Sequence, residues 1–80
     1  MPRESESELA LRRIELGYTQ NTLARAMGDT PQAQSIAQWE SGTMPRGDSL
    51  LIYARLLGLT PAAVVAMVEA ARAARKAVAR

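Results

Sequence analysis

The side chains in this sequence that could carry chemistry are arginines, carboxylates and amides, because its 80 residues include no cysteine and no histidine. Those absences exclude disulfides, zinc fingers, thiol nucleophiles, imidazole-ligated metals and a Ser-His-Asp triad. The only lysine, Lys76, lies in a charged C-terminal run, which argues against a Ser-Lys dyad. We therefore expect a protein that is not an enzyme, with no catalytic residues, no metal, no cofactor and no small-molecule substrate.

Two glutamines, Gln34 and Gln38, have the most informative spacing among the polar residues. At about 100° per residue, a helix with Ile36 on its buried side places both glutamines on the opposite face and Trp39 on the buried side. A glutamine amide can donate to and accept from the edge of an adenine base at once. An isolated pair of exposed glutamines is more often only solubilising, so the interpretation depends on the surrounding motif.

The charge balance is mild in total but uneven along the chain. Apolar residues make up 48% and charged residues 22%, as in a folded globular protein, and the net charge is +2. Glu4, Glu6 and Glu8 crowd the start, while basic residues close the chain. This asymmetry points to a polyanionic partner, although a solvated helix face is the more frequent explanation. No apolar run approaches a membrane span or an export signal, so we expect a cytoplasmic protein without a membrane partner.

The length allows one small domain, residues 1–80, whose thin core dimerisation would help to stabilise. No segment alternates apolar and polar residues as a strand does, so the predicted fold class is all-α. Turn residues divide the chain into five helices, which form a compact five-helix bundle with an extended last helix. We expect residues 1–5 to be disordered and residues 67–80 to form the C-terminal extension.

Capping residues and glycines set the predicted helix boundaries. Each predicted helix is preceded by a side chain that can cap it: Ser5 with Glu8 as a capping box, Thr19, Thr30 before Pro31, Asp48, and Thr60 before Pro61. The first four helices end at glycines: Gly17, Gly28, Gly42 and Gly58. The fourth helix has four residues on its predicted apolar side: Leu50, Leu51, Ala54 and Leu57.

The stretch from Leu16 to Gly42 predicts a short helix that ends at a glycine, a tight turn, and a second helix with an exposed polar face. This is a helix-turn-helix, whose second helix can lie in the major groove of DNA. It resembles the Xre/Cro family, the phage-repressor-like helix-turn-helix proteins. The matching positions span residues 9–66 and are Arg13, Gly17, Thr19-Gln20, Leu23-Ala24, Gly28, Ser35-Ile36, Trp39-Glu40, Gly42, Pro45, and Ala54 to Leu57-Gly58.

The resemblance implies that the exposed side of the third helix contacts base edges through Gln34 and Gln38. The segment from Asp29 to Ser35 is longer than is usual in the family. That difference makes Ser35 and Gln32 further candidates for base contacts.

The resemblance also implies contacts with the DNA backbone. Gln20 matches a family position that touches a phosphate, and it stands at a helix N-terminus, which itself attracts anions. Arg46 and Thr43, in the loop after the third helix, are further candidates, although ordinary loop polarity explains Thr43 equally well. Arg25 and Arg12 are peripheral candidates, for which simple surface charge is an equally good explanation.

Arg13 and Glu40 occupy family positions that pair the first helix with the end of the third. The resemblance therefore implies a partly buried, structural ion pair that does not contact DNA. Arg13 is four residues from both Leu9 and Gly17, which places it on a half-buried stripe of the first helix, where an unpaired charge would be costly.

The last helix carries an apolar repeat that continues beyond what a five-helix core needs. Val64, Met67, Ala71, Ala74 and Val78 are spaced alternately by three and four residues, as in a heptad. We expect Met67, Ala71, Ala74 and Val78, called here the α5 seam, to form a dimer interface. The alternative is a frayed, solvated, alanine-rich end.

These observations predict a small bacterial or phage-type transcription regulator that binds a palindromic operator in double-stranded DNA as a homodimer. The expected role is repression or autoregulation of a local operon, in the cytoplasm and on the nucleoid. The alternative is a protein-interaction module of antitoxin type, which would bind a protein partner mainly through the C-terminal helix. Salt-dependent binding to duplex DNA separates the two, since phosphate contacts release counterions and an apolar helix interface does not.

Overall fold

The computed structural model describes the backbone of residues 7–28 and 33–78 and the side chains of residues 7–28 and 33–74. Within those ranges the chain forms five helices and no strand: α1 (Glu8–Glu15), α2 (Gln20–Met27), α3 (Ala33–Glu40), α4 (Gly47–Leu57) and α5 (Pro61–Val78). The predicted all-α fold is confirmed. The expectations for residues 1–5, for Thr30 with Pro31 and for Gln32 lie outside the described residues.

The beginnings of α1 and α2 show how local hydrogen bonds set helix boundaries. The N-cap of α1 is Ser7, whose hydroxyl accepts a hydrogen bond from the Ala10 N–H at 3.2 Å. The predicted capping box of Ser5 with Glu8 is therefore wrong, because the serine next to the first buried turn caps the helix instead. Thr19 caps α2 as predicted, in a reciprocal capping box with Thr22.

The last two helices differ in how well their starts were predicted. Helix α4 begins at Gly47, so Asp48 lies inside its first turn and is not the N-cap. Arg46 holds the N-cap position without a capping side-chain bond, and the Asp48 carboxylate is favoured there by the helix dipole. At α5 the prediction is correct, since the Thr60 hydroxyl accepts from the Ala63 N–H at 3.1 Å, directly before Pro61.

Helix α3 ends in a Schellman motif, the two-bond closure typical of helix C-termini. The Gly42 N–H donates to the Trp39 carbonyl at 3.2 Å, and the Thr43 N–H donates to the Gln38 carbonyl at 2.9 Å. Gly42 has a φ of +115°, which a residue with a Cβ rarely adopts. The motif fixes the chain that follows α3, residues 41–46, called here the α3–α4 loop.

The core is one cluster to which all five helices contribute. Its largest fully buried side chains are Leu9, Leu23, Ile36, Tyr53, Leu57, Val64 and Val68. On α4 the buried face is formed by Tyr53, Ala54 and Leu57, and Leu50 packs partly against it. Leu51 is 53% exposed, so its placement on the apolar side is wrong. On a helical wheel at about 100° per residue, Leu50 and Tyr53 fall on the same side of α4 as Ala54 and Leu57. Leu51 falls at the edge of that side.

Helix α5 has 18 residues and a length of about 27 Å. Its first part belongs to the core, because Val64 and Val68 are fully buried. Val64 belongs to the heptad-like repeat, but it is not available to a partner, because it is buried in the core. No single helix in the described ranges has the length and apolarity to cross a membrane, and only the pair α4 and α5, bent by 97°, reaches that composition together.

Candidate DNA interface

Helices α2 and α3 pack against each other through apolar side chains that face inward. Leu23 and Met27 on α2 and Ile36 and Trp39 on α3 are all buried in the same cluster. This packing decides which side of α3 remains available. The rotation of α3 about its axis, and therefore the choice of side chains that face solvent, is set by this packing.

The outer side of α3 presents two amides to solvent. Gln34 and Gln38 are exposed, whereas Ile36 on the opposite side is fully buried, as the helical wheel predicts. Ser35 is half-buried on the flank of the helix. Among the described residues neither glutamine side chain makes a hydrogen bond, so both amides are available as donors and acceptors.

Arg13 and Glu40 form a salt bridge between α1 and the last residue of α3. The Arg13 Nε–H donates to Glu40 Oε2 at 2.5 Å, and its Nη2 group donates to Oε1 at 3.4 Å. A third guanidinium nitrogen, Nη1, donates to the Tyr18 carbonyl at 2.9 Å. The two side chains are only 11% and 8% exposed, so the pair is almost fully desolvated.

Gln20 joins the same group from the first position of α2. Its Nε2 group donates to Glu40 Oε1 at 3.2 Å, and the side chain is half-buried. The Glu40 carboxylate therefore receives hydrogen bonds from α1 and α2 together. Three helices are held in register by this one carboxylate, and Gln20 lies inside this network as well as at the α2 N-terminus.

Tyr53 lies next to this network and was not predicted from the sequence. Its ring packs on Trp39 with centroids 4.9 Å apart and the planes tilted by 55°. Its buried hydroxyl has no hydrogen-bond partner among the described residues. Burial raises the pKa of Tyr53 above its ordinary value, the Glu40 carboxylate raises it further, and the Arg13 guanidinium opposes the increase.

Replacing Tyr53 with phenylalanine is expected to leave the free energy of unfolding unchanged or to raise it by up to about 1 kcal/mol at neutral pH. The change removes a buried hydroxyl that lacks a partner. Above about pH 10 the advantage should grow, because the unfolded wild-type chain ionises its tyrosine there and the folded chain does not. Urea denaturation at both pH values measures this. A loss above about 1 kcal/mol at neutral pH would instead reveal a partner such as an ordered water.

The α3–α4 loop carries the two candidate backbone contacts that follow α3. Thr43 and Arg46 are exposed, while Pro45 is buried and Met44 packs partly against the core. The buried residues anchor the loop and the exposed ones face solvent. This arrangement can offer a hydroxyl and a guanidinium to a phosphate directly beyond the end of α3.

The two peripheral arginines differ in their surroundings. Arg25 is exposed in the last turn of α2. Arg12 is half-buried on α1, where its Nε–H donates to the Leu57 carbonyl at 2.9 Å and its Nη1 group pairs with Glu15 at 3.3 Å. Arg12 thus satisfies a carbonyl at the end of α4, which gives it a structural explanation.

The α5 seam is divided between the core and the surface. Met67 is half-buried and packs partly against the core, Ala71 is half-buried and Ala74 is exposed. The side chain of Val78 lies outside the described residues. Met67 also lines a shallow groove between α1 and α5, called here the α1–α5 groove, with Leu11 and Ile14, which are 41% and 49% exposed.

One contact between α5 and the α3–α4 loop was missed by the sequence analysis. The Arg72 Nε–H donates to the Gly42 carbonyl at 3.1 Å. The glycine itself was the only available indication, because a glycine at a helix end can mark a close approach of another backbone as well as a turn. Nothing local to Arg72 identifies its partner, since the two residues are brought together by the packing of α5 against α3.

The comparison with protein families agrees with this geometry. The chain matches the model of the helix-turn-helix family over residues 9–64, more than half of its length. No curated protein and no solved structure gives a match. The matched region contains α2 and α3, together with the Arg13–Glu40 pair that joins α1 to the end of α3. The chain therefore belongs to the helix-turn-helix family of Xre/Cro type, whose members are DNA-binding regulators.

Proposed function

We propose that the protein is a small transcription regulator that recognises a specific operator by placing α3 in the major groove of DNA. The observation that carries this proposal is the exposure of Gln34 and Gln38 opposite the fully buried Ile36. A helix in this family whose inner side is fixed by the core and whose outer side presents two unengaged amides has the chemistry for base recognition. Such a protein acts where the DNA is, on the nucleoid in the bacterial cytoplasm.

Phosphate contacts from the elements before and after α3 would set its position in the groove. Gln20, at the N-terminus of α2, contacts Glu40 at the end of α3, and the α3–α4 loop with Thr43 and Arg46 begins at that same end. Backbone N–H groups at a helix start and an exposed guanidinium are both suited to bind phosphate. Arg25 adds a further positive charge at the end of α2.

We further propose that the protein binds a palindromic operator as a homodimer and represses or autoregulates a local operon. The α1–α5 groove supports this, because its exposed Leu11 and Ile14 adjoin Met67 of the α5 seam. Small domains have thin cores, so burial of such side chains between two copies adds stability. A two-fold dimer presents two α3 helices to half-sites one turn of DNA apart.

Selection of bound duplexes from a random pool tests the function. The expected product is a pseudo-palindrome whose half-sites are about 10 base pairs apart, or a multiple of that spacing. Adenine positions should stand where Gln34 and Gln38 meet the bases. A pool that shows no enrichment over successive rounds would contradict the proposal.

Ile14→Glu should weaken dimerisation at least about tenfold, because it places an unpaired charge in the proposed interface. Leu51→Glu is the matched control, since Leu51 is a similarly exposed apolar residue on a different helix, α4. Analytical ultracentrifugation of both variants measures the effect. Dissociation by Leu51→Glu and not by Ile14→Glu would move the interface to α4 and the start of α5.

The second candidate is a protein-interaction module of antitoxin type, which the same exposed apolar groove favours. In that case a different protein, not a second copy, would cover Leu11, Ile14 and Met67. The salt dependence of binding distinguishes the functions, because apolar association lacks the counterion release of a DNA complex.

A further inference from the structure

The backbone of α5 lies directly against the end of α3. A Cβ atom built on Gly42 would stand 2.8 Å from the Arg72 Cα and 2.9 Å from its Cβ. Only glycine permits this approach, and its φ of +115° is required by the Schellman motif at the same position. Two independent constraints therefore meet at one residue.

The close approach brings a specific hydrogen bond with it. The Arg72 Nε–H donates to the Gly42 carbonyl at 3.1 Å, and the rest of the side chain is exposed. Carbonyls at a helix C-terminus lack partners within the helix and attract positive charge. The guanidinium of Arg72 supplies both a donor and a charge there.

This bond holds the first half of the α3–α4 loop. The loop is bound to α3 by the Thr43 N–H, which donates to the Gln38 carbonyl at 2.9 Å. The Gly42 carbonyl is bound to α5 through Arg72. The loop that presents Thr43 and Arg46 is thus held between two helices.

We propose that Arg72 is a positioning residue for DNA binding, which keeps the α3–α4 loop in the conformation that brings Arg46 to a phosphate. The proposal rests on the proposed function, since it assigns a role to a residue that acts through the phosphate-binding loop. It also couples that loop to α5, whose neighbouring residue Ala71 belongs to the proposed dimer interface. A change in the position of α5 alters the phosphate contacts through this hydrogen bond.

Removal of the end of α5 is therefore an ambiguous test of the dimer interface. Truncation after Glu69 deletes most of the α5 seam and Arg72 together. Point variants separate the two contributions. Arg72→Ala removes the hydrogen bond, Arg72→Lys keeps the charge without the planar Nε–H donor, and Arg55→Ala removes an exposed arginine of α4 as a control.

Operator binding of these variants, measured by fluorescence anisotropy on the selected duplex, is the first readout. Arg72→Ala should weaken binding about three- to tenfold, Arg72→Lys should recover little of the loss, and Arg55→Ala should bind as wild type does. In an Arg46→Ala background, Arg72→Ala should cost less than about twofold, because both act through the same phosphate contact. If the losses of affinity from Arg46→Ala and Arg72→Ala were additive and Arg72→Lys restored binding, the proposal would be overturned, and Arg72 would be a direct phosphate ligand.

Hydrogen exchange provides a readout that needs no DNA. In Arg72→Ala the Thr43 amide should exchange at least about threefold faster than in wild type, while the Leu23 amide, bonded to the Thr19 carbonyl, should be unchanged. An unchanged Thr43 rate would overturn the proposal. If the wild type bound no duplex, the proposed function would be wrong, and the Thr43 rate would still decide whether Arg72 positions the loop.

Discussion

Arg13→Ala and Glu40→Ala are each expected to reduce the free energy of unfolding by about 3 to 5 kcal/mol. Either change leaves the other charge almost fully buried without its partner. The Glu40 variant also removes the acceptor of the Gln20 amide, and the Arg13 variant removes a donor to the Tyr18 carbonyl. The loss is large because the attraction and the hydrogen bonds disappear while the desolvation cost remains.

For a domain of this size the total stability is about 4 to 12 kcal/mol, so either variant approaches the limit of folding. Urea denaturation of both single variants measures the loss, and Arg55→Ala serves as an exposed control within about 0.5 kcal/mol of wild type. The double variant should lose less than the sum of the two single losses. Single losses below about 0.5 kcal/mol would contradict a buried, paired network.

Gln38→Ala should weaken binding to the selected operator about fivefold to more than a hundredfold and leave affinity for random DNA nearly unchanged. The side chain is exposed opposite the core, so its truncation removes base contacts without disturbing packing. Gln34→Ala should behave in the same way. Arg46→Ala should instead weaken binding to both kinds of duplex and reduce the salt slope by about one unit for each copy, about two units for the dimer.

Fluorescence anisotropy on operator and scrambled duplexes at several salt concentrations separates these effects. Thermal denaturation of the glutamine variants should match wild type, which excludes unfolding as the cause. If Gln34→Ala and Gln38→Ala both bound the operator as wild type does, these glutamines would not recognise the bases. The longer segment from Asp29 to Ser35 would then have redirected α3, so that Gln32 or Ser35 contacts the bases.

Boundaries that depend on neighbouring residues were predicted well from the sequence. Thr19 and Thr60 each cap the predicted helix, because the hydroxyl, the turn and the bonded N–H lie within three residues. Where two serines in the sequence could cap the same helix, the packed core decides between them. Ser7 caps α1, because the turn that it begins contains the buried Leu9 and Ala10. Asp48 shows the same limit, since a helix that begins two residues earlier than predicted, at Gly47, still places the Asp48 carboxylate in its first turn, where the helix dipole favours it.

Contacts between distant helices were beyond local reasoning. The burial of Tyr53 and the exposure of Leu51 depend on how α4 is rotated against the core. The bond between Arg72 and Gly42 depends on how α5 crosses α3. The outward direction of Gln38, by contrast, followed from a helical period and one buried isoleucine.

The salt dependence of wild-type binding to the selected operator tests the central claim most directly. Each neutralised phosphate lowers log affinity by about 0.9 per unit of log salt concentration, so a dimer that uses Arg25 and Arg46 from both copies should give a slope of roughly −3 to −4. The scrambled duplex should bind at least about a thousandfold more weakly at the same salt concentration. A slope near zero, or equal affinity for both duplexes, would contradict sequence-specific DNA binding by this protein.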